Sequence, residues 1–403
     1  MTPREDFMVR VFQHLAQRGI EYCVARNFES VFIDGPSDVD LLARASSVSA
    51  VREVCELAAG ESGFTPVQAA RFANHSWVFA HTTGVLVRID VDTEVRWRWC
   101  HVLSAAEVLS ARTREDRFFI CSPAHEADIL ATQIAWRNEV PERYAKILAQ
   151  VGAPPPVPSR IRWKLVCRTA LRPGNWLASV RYASSDIARL LQRCFGSFRA
   201  ARGPEHGASV VLAGLDGAGK STLARRLIAD ATRSRHFAGV RYFHWIPSPF
   251  RAAEFPWPAA GDIPRRAPGK HGVALSAFRL VRNIVLAWLG FALVVRPLVR
   301  RGWLVIIDRY ATNYWLDPDS VRYGGPARWL AWARRLFPKA DVLIALGADA
   351  ETLRSRKREL SVEAIAIQSE RLRDLPALAL RRVDLDAAQP IDTVVQQALA
   401  QLP

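Results

Sequence analysis

The stretch SVVLAGLDGAGKST, residues 209–222, carries the strongest fold signal in this chain of 403 residues. It opens with Ser209 and the apolar residues 210–213, which are typical of a buried strand. After the stretch, Leu223, Leu227 and Ile228 have the spacing of an amphipathic helix. Between the two, residues 214–221 fit GxxxxGK[ST], the pattern of a loop that cradles phosphate. Glycines let backbone N–H groups turn toward an anion, and the N-terminus of the next helix favours negative charge. We therefore predict a phosphate-binding loop between a buried strand and a helix.

The residue types in this loop indicate their roles. The ammonium of Lys220 balances the charge of the β- and γ-phosphates, and the hydroxyl of Ser221 is placed to bind Mg²⁺. A glycine-rich turn before a helix is the structural alternative, but such a turn needs no Lys-Ser pair at its end. The residues expected to bind ATP are Gly214, Asp216, Gly217, Ala218, Gly219, Lys220, Ser221 and Thr222.

A second strand, LVIID at 304–308, ends in a carboxylate. A carboxylate at the end of a buried strand can hold the water shell of a metal ion, so we expect Asp308 to act on Mg²⁺ or phosphate. The alternative is that Asp308 caps a helix beginning near Ala311. After residue 208, apolar strands alternate with helical segments, which favours a parallel sheet covered on both faces.

Several segments of residues 209–403 resemble thymidylate kinase and its relatives. They are GLDGAGKST at 214–222, DRY at 308–310, the Arg-rich segment 354–358 and VDLDAAQPIDTVVQQAL at 383–399. The resemblance implies an α/β fold, the three-layer parallel sheet of P-loop kinases. It also implies transfer of the γ-phosphoryl group of MgATP to a nucleoside monophosphate.

The same resemblance implies individual catalytic roles. Lys220 and Ser221 would hold the ATP phosphates and Mg²⁺, and Arg309 would clamp the phosphate of the acceptor. Asp216 would lie near the acceptor and Asp308 near both the metal and the acceptor. Arginines of a mobile lid would stabilise the transferring charge, and the two assigned to this role are Arg354 and Arg358.

Two segments depart from the family pattern and bear on the acceptor. The usual Arg-Glu-Pro stretch is replaced by RYFHWIPSP at 241–249, and the helix that recognises thymine is replaced by ATNYWLDP at 311–318. The stretch 308–325, DRY…DP…RYGG, is similar to a subgroup found among bacterial surface-polysaccharide genes. We expect a nucleoside monophosphate or a related small phosphorylated or hydroxyl acceptor. The alternatives are an ATP-binding scaffold or a nucleotidyltransferase in such a pathway. Whether an aromatic base fits against Tyr310, Tyr314 and Trp315 would decide most of the acceptor specificity.

The N-terminal part contains a second group of carboxylates. Residues 35–42 read GPSDVDLL, and a later strand carries Asp90. This pattern resembles the nucleotidyltransferase superfamily, which implies an α+β domain in which Asp38, Asp40 and Asp90 bind Mg²⁺, with Asp92 as the alternative third member. Side chains two apart on a strand share a face, so Asp38 and Asp40 can point to the same metal. The alternative is a loop pair of aspartates beside a solvated strand face.

Breaker residues and charge divide the chain into three predicted segments. We expect a nucleotidyltransferase-like domain at 1–157, a basic helical connector at 158–207 and the P-loop domain at 208–403. Residues 161–203 hold 9 basic and 1 acidic side chains. Their tryptophans and phenylalanines, among them Trp163 and Phe198, could contact an anionic membrane or another polyanion. They could equally pack on a neighbouring domain while the arginines stay in solvent.

Composition excludes several classes of protein. The net charge is +16, but half of the residues are apolar, as in ordinary globular domains. Six cysteines without a CxxC pair indicate neither a disulfide framework nor a zinc site. The N-terminus lacks the pattern of a signal peptide, and the apolar run 284–295 is too short to span a bilayer. We expect this run to lie in a long helix over 274–300 whose apolar face is part of the core. We expect a cytoplasmic protein without specific nucleic-acid binding, and we leave a homodimer open.

Overall fold

The computed structural model describes residues 1–33, 38–67, 75–98, 100–152, 155–170, 175–203, 206–234, 236–250, 254–256, 269–349, 352–353 and 362–402. The chain divides into two compact units. The first extends to Leu190 and the second begins at Leu191, apart from short segments between residues 67 and 86 that group with the second unit. Most of the predicted connector therefore belongs to the first unit.

The first unit is built on a mixed sheet. Its strands are β1 Tyr22–Arg26, β2 Val39–Ala43, β3 Phe64–Pro66, β4 His75–His81, β5 Leu86–Asp92, β8 Thr113–Glu115 and β9 Phe118–Ile120, with a separate hairpin of β6 Glu94–Trp97 and β7 Cys100–Ser104. The order in the sheet is β3-β4-β5-β2-β1-β9-β8. Strands β2 and β5 are parallel, and their register places Asp40 beside Asp90. This pairing brings two of the predicted metal ligands onto neighbouring strands.

Helices accompany this sheet in sequence order. They are α1 Pro3–Gln17, α2 Val48–Glu61, α3 Ala105–Ser110, α4 Pro123–Arg137, α5 Glu142–Gln150, α6 Pro158–Ala170 and α7 Asn175–Phe195. Helix α6 packs on α4, where the Nε atom of Arg162 donates to the carbonyl oxygen of Ala135 at 3.0 Å and Leu165 joins the apolar core. In α7, Tyr182 donates to Glu94 at 2.6 Å. These contacts attach both helices to the unit, whereas Trp163 and Phe198 are 70% and 46% exposed. The role of the connector aromatics, in membrane contact or in packing, stays a prediction.

The second unit is built on a five-stranded parallel sheet. Its strands are β10 Ala208–Gly214, β11 Gly239–Phe243, β12 Trp303–Asp308, β13 Ala340–Gly347 and β14 Ala379–Asp386. They lie in the order β11-β12-β10-β13-β14, and all the neighbouring pairs are parallel. Every residue of β12 is buried, as expected when both faces of a parallel sheet are covered. The predicted α/β class with a parallel sheet is confirmed for this half of the chain.

Helices connect these strands. They are α8 Lys220–Ser234, α9 Val273–Gly290, α10 Arg296–Val299, α11 Asn313–Leu316, α12 Ala327–Ala333, α13 Val362–Arg373 and α14 Ile391–Leu399. A π-helical turn, Phe291–Val295, joins α9 to α10 into one continuous helix. The sequence predicted a single helix over 274–300, and the structure confirms it with this local widening.

The continuous helix Val273–Val299 is exceptional among the described residues. It is the one helix long and apolar enough to cross a membrane by length and composition, but 44% of its most apolar window is buried inside the protein. Ser276, Leu280 and Asn283 are on the buried face. The sequence predicted this helix as a core element. One of its faces is indeed buried, while an apolar row on the other side is exposed.

Candidate phosphate site at the carboxyl end of the parallel sheet

The loop between β10 and α8 needs glycine for steric reasons. Gly214, Gly217 and Gly219 have φ angles of +153°, +89° and +85°, conformations that residues with a Cβ rarely adopt. A Cβ atom on Gly214 would lie 2.6 Å from the carbonyl oxygen of Leu346 on β13. The loop is therefore a tight turn against the neighbouring strand, as the motif predicts.

Lys220 is held inside this loop. Its side chain is 7% exposed, and its Nζ atom donates to the carbonyl oxygens of Gly214 at 2.8 Å and Leu215 at 2.7 Å. The carboxylate of Asp216 is 3.7 Å away. Lys220 is also the first residue of α8, whose N-terminal N–H groups favour an anion. The ammonium group and the helix terminus thus direct positive charge to the same loop, and Ser221 and Thr222 lie in the first turn.

Arg309 connects the loop to the end of β12. Its Nη2 atom donates to Oδ1 of Asp216 at 2.9 Å, so two residues expected near the acceptor are in contact. Arg309 and Tyr310 both have positive φ angles, +68° and +40°. Non-glycine residues in the left-handed region store strain, which is found most often at functional sites. The backbone N–H of Arg309 donates to Leu212 at 3.0 Å and keeps this bend attached to the sheet.

Asp308 is the last residue of β12 and is fully buried. Its Oδ2 atom accepts a hydrogen bond from the hydroxyl of Tyr242 at 2.9 Å and lies 3.5 Å from Nδ1 of His244. Its Oδ1 atom has no hydrogen-bond partner among the described residues. Burying a carboxylate oxygen without a hydrogen bond costs free energy, so such an oxygen usually contacts a bound ligand or ion.

The surroundings of Asp308 keep it ionised. Burial by itself raises the pKa of a carboxyl group, but the contact with His244 and the positive charge of Lys220 outweigh burial and lower the pKa of Asp308 below its ordinary value. A carboxylate that stays charged at neutral pH suits contact with a cation better than proton transfer. Asp308 therefore fits the expected role beside Mg²⁺.

Tyr242 and His244 were not predicted as site residues. Both belong to the RYFHW segment, which the sequence only marked as a departure from the family pattern. Their positions in the sequence could have indicated this role. Tyr242 and His244 are two residues apart and so lie on the same side of the extended chain, and the carboxyl ends of adjacent parallel strands meet at one edge of the sheet. Because β11 pairs with β12, the residues that end β11 must lie beside Asp308.

These residues fit an Mg²⁺–nucleotide. Mg²⁺ is commonly bound by one or two carboxylates together with phosphate oxygens and water, and Asp308 offers a buried oxygen for this purpose. Ser221 supplies a hydroxyl at the start of α8. Within the described ranges, no cluster of three His, Cys, Asp or Glu side chains forms a metal site. The donor set thus fits a metal that arrives with a phosphate, and not a cation held by protein side chains alone.

Two other expectations for this half have different outcomes. Arg354 and Arg358, expected in the lid, lie outside the described residues. The aromatic side chains proposed to contact a base are mostly core residues. Tyr310 is fully buried and donates to the carbonyl oxygen of Pro338 at 2.8 Å, while Tyr314 accepts a hydrogen bond from Asn283 at 2.8 Å. Neither tyrosine ring is available to stack on a base.

The aspartates of the first unit lie close together, but arginines pair with them. Arg26 donates to Oδ1 of Asp40 at 2.8 Å. Arg88 lies 3.3 Å from Asp38 and 2.8 Å from Asp90. These ion pairs neutralise carboxylates that were expected to bind the metal. The metal role of Asp38, Asp40 and Asp90 stays a prediction.

Burial dominates the ionisation of this cluster. It raises the pKa of Asp38 to about 6, although the charge of Arg88 opposes the shift. It raises the pKa of Asp92 to about 7, and the negative charges of Asp40 and Asp90 add to the effect. The pKa of Asp40 is also raised by burial. The carboxylates of this cluster therefore repel one another, and the charges of Arg26 and Arg88 offset this repulsion.

Comparison with known proteins gives limited similarity. No protein-family model matches the chain, and no curated protein matches it in sequence. Among solved structures, thymidylate kinase from Candida albicans is 19% identical with a TM-score of 0.33, covering 48% of this chain and 90% of its own. Thymidylate kinase from Ehrlichia chaffeensis is 14% identical with a TM-score of 0.31, covering 49% and 98%. At these TM-scores the similarity carries no argument about this chain, and the description of the phosphate site does not depend on it.

Proposed function

We propose that the second unit is an ATP-dependent phosphotransferase that moves the γ-phosphoryl group of ATP to a nucleoside monophosphate or a related small acceptor. The observation that carries the proposal is the convergence of a glycine loop, Lys220 and the buried Asp308 at the carboxyl ends of β10 and β12. Ligands of open parallel sheets bind at this edge. Phosphoryl transfer depends on positioning and positive charge, and both are provided there.

Each residue has a distinct task in this proposal. Backbone N–H groups of the loop and of the first turn of α8 bind the phosphates, and Lys220 moves its ammonium group from the loop carbonyls to the β- and γ-phosphates. Arg309 orients the acceptor phosphate, and Asp216 holds its guanidinium in place through the 2.9 Å contact. When bound, Mg²⁺ neutralises phosphate charge, and Ser221 and Asp308 would hold it. An acceptor oxygen bonds to the γ-phosphorus as the bond to the β-γ bridging oxygen breaks, and ADP leaves.

Substitution of the loop lysine tests the proposal. Lys220→Met removes the ammonium group and keeps much of the aliphatic length. A hydrogen bond to a charged group contributes about 1.5–3 kcal/mol, so we expect ATP affinity to fall by about 10- to 100-fold and transfer to be lost. Binding is measured by titration calorimetry, and transfer with γ-labelled ATP and a panel of nucleoside monophosphates and small hydroxyl acceptors.

A matched control distinguishes the loss of any lysine charge from the loss of the lysine in the phosphate loop. Lys339→Met makes the same substitution at an exposed lysine and should leave ATP affinity and transfer unchanged. Wild-type affinity in Lys220→Met would disprove the phosphate site. ATP binding without transfer to any acceptor would instead favour the alternative of an ATP-binding scaffold.

A further inference from the structure

Helix α9 exposes an apolar row that the phosphate site does not use. Phe278, Val281, Val285, Trp288 and Leu289 follow the spacing of one helix face, and they are 64%, 58%, 51%, 51% and 38% exposed. We call these five residues the α9 apolar face. Large apolar side chains that are exposed together on one surface mark an interaction site more often than single exposed residues do.

Trp332 of α12 lies four residues before a residue that contacts this face. The indole Nε1 atom of Trp288 donates to the carbonyl oxygen of Leu336 at 2.8 Å, which fixes one edge of the ring against the turn after α12. Trp332 lies about one helical turn before Leu336 and is 63% exposed. Tryptophan and phenylalanine are the side chains that favour the boundary between lipid and water.

The charged residues of α9 and α10, and those of the segment that contains α12, are of one sign. Residues 273–300 contain four arginines and no acidic residue, and residues 327–339 contain three arginines, one lysine and no acidic residue. Most of these cations are exposed, including Arg282, Arg296 and Arg300 on the long helix. An apolar row flanked by exposed cations matches the chemistry of an anionic lipid surface.

The same charges disfavour the other occupants. If two copies of the chain joined through this face, they would bring cations of these segments together, and like charges at an interface weaken association. A membrane-spanning position would take the opposite face of the helix out of its packing inside the unit. There Asn283 donates to Tyr314 at 2.8 Å, and Ser276 accepts from the backbone of Gly324 at 3.0 Å. The helix can lie along a membrane surface while these contacts stay intact.

We propose that the α9 apolar face, with Trp332, docks the protein on an anionic membrane surface. This inference goes beyond the proposed phosphotransferase activity and does not depend on it. It also places the contact in the second unit, whereas the sequence suggested the connector at 161–203.

Vesicle binding by the full-length chain tests the proposal. We expect it to bind vesicles of 70% phosphatidylcholine and 30% phosphatidylglycerol in a flotation assay at 0.1 M NaCl, and to bind pure phosphatidylcholine vesicles at least about tenfold more weakly. The double substitution Phe278→Ser/Val285→Ser should lower the partition coefficient by about tenfold or more. Arg300→Glu/Arg335→Glu should lower binding to the anionic vesicles alone.

Two control variants locate the effect. Leu380→Ser changes a side chain that is 75% exposed on β14, and Trp163→Ser changes one that is 70% exposed in the connector. Both should bind vesicles as the wild type does. All variants should keep the wild-type melting temperature, because the substituted side chains are exposed.

Three results would overturn the proposal. The first is equal binding of the wild type to neutral and anionic vesicles. The second is loss of binding in Trp163→Ser but not in Phe278→Ser/Val285→Ser, which would assign the contact to the connector. The third is a dimer in light scattering that Phe278→Ser/Val285→Ser converts to a monomer, which would assign this face to a second copy of the chain.

Discussion

Replacement of Gly214 by alanine tests how closely the phosphate loop packs on the neighbouring strand. The φ angle of Gly214 is +153°, and the added Cβ would lie 2.6 Å from the carbonyl oxygen of Leu346 and 3.2 Å from its Cβ. Backbone strain of this kind costs about 1–3 kcal/mol, and forcing β10 and β13 apart adds about 1–3 kcal/mol. A smaller gain, about 0.4–1 kcal/mol, comes from the stiffer unfolded chain. We expect a net loss of about 2–5 kcal/mol in the free energy of unfolding.

A second glycine in the same loop provides the control. Gly219 has a φ angle of +85°, but a Cβ atom there meets nothing within 4 Å. Gly219→Ala should therefore lose only about 1–2 kcal/mol, the cost of the backbone conformation. Urea unfolding followed by tryptophan fluorescence measures both losses, and hydrogen exchange of the amides of β10 shows whether the loss is local. If the two variants lose the same amount, the close approach to Leu346 does not constrain the loop.

Three further outcomes are expected. Arg26→Ala should lower the unfolding free energy by about 3–5 kcal/mol in urea titrations, because Asp40, with a side chain only 6% exposed, loses its charged partner; a neutral effect would show that Asp40 is protonated. Burial raises the pKa of Asp92 to about 7, so the folded chain keeps a proton that the unfolded chain releases near pH 4, and the free energy of unfolding should fall as the pH rises from about 4 to 7. Asp92→Asn should flatten this pH dependence, and an unchanged pH dependence would refute the assignment. Tyr242→Phe removes the 2.9 Å hydrogen bond to Asp308 and should cost about 1.5–3 kcal/mol of stability by thermal unfolding, whereas no change would mean that Asp308 finds another donor.

The second unit could be predicted from sequence because its signals are local. A continuous apolar strand, a glycine loop and a helix occupy consecutive residues, and the structure places β10 and α8 within a few residues of the predicted bounds. Asp308 follows a buried strand in the same way. Such features depend on neighbours along the chain, so no knowledge of the tertiary structure is needed to find them.

The parts that sequence reasoning missed depend on distant residues. Tyr242 and Asp308 are 66 positions apart, and only the pairing of β11 with β12 brings them together. The arginines that neutralise the predicted metal ligands are similarly remote: Arg88 is 50 positions from Asp38. Periodicity also assigned the apolar face of the helix over 274–300 to the core, because an apolar pattern records hydrophobicity and not whether a face is covered.

The positive charge of the chain can now be divided by what each arginine contacts. Arg26 and Arg88 are in ion pairs with aspartates of the first unit, and Arg309 is paired with Asp216 at the phosphate loop. Such arginines add little to the field outside the protein, because a carboxylate a few ångströms away cancels them. Exposed cations such as Arg300 and Arg335 lie in segments without acidic residues and act at a distance of about one Debye length, roughly 8–10 Å. The net charge of +16 is therefore concentrated on particular surfaces. The surface around α9 combines exposed cations with exposed aromatic side chains.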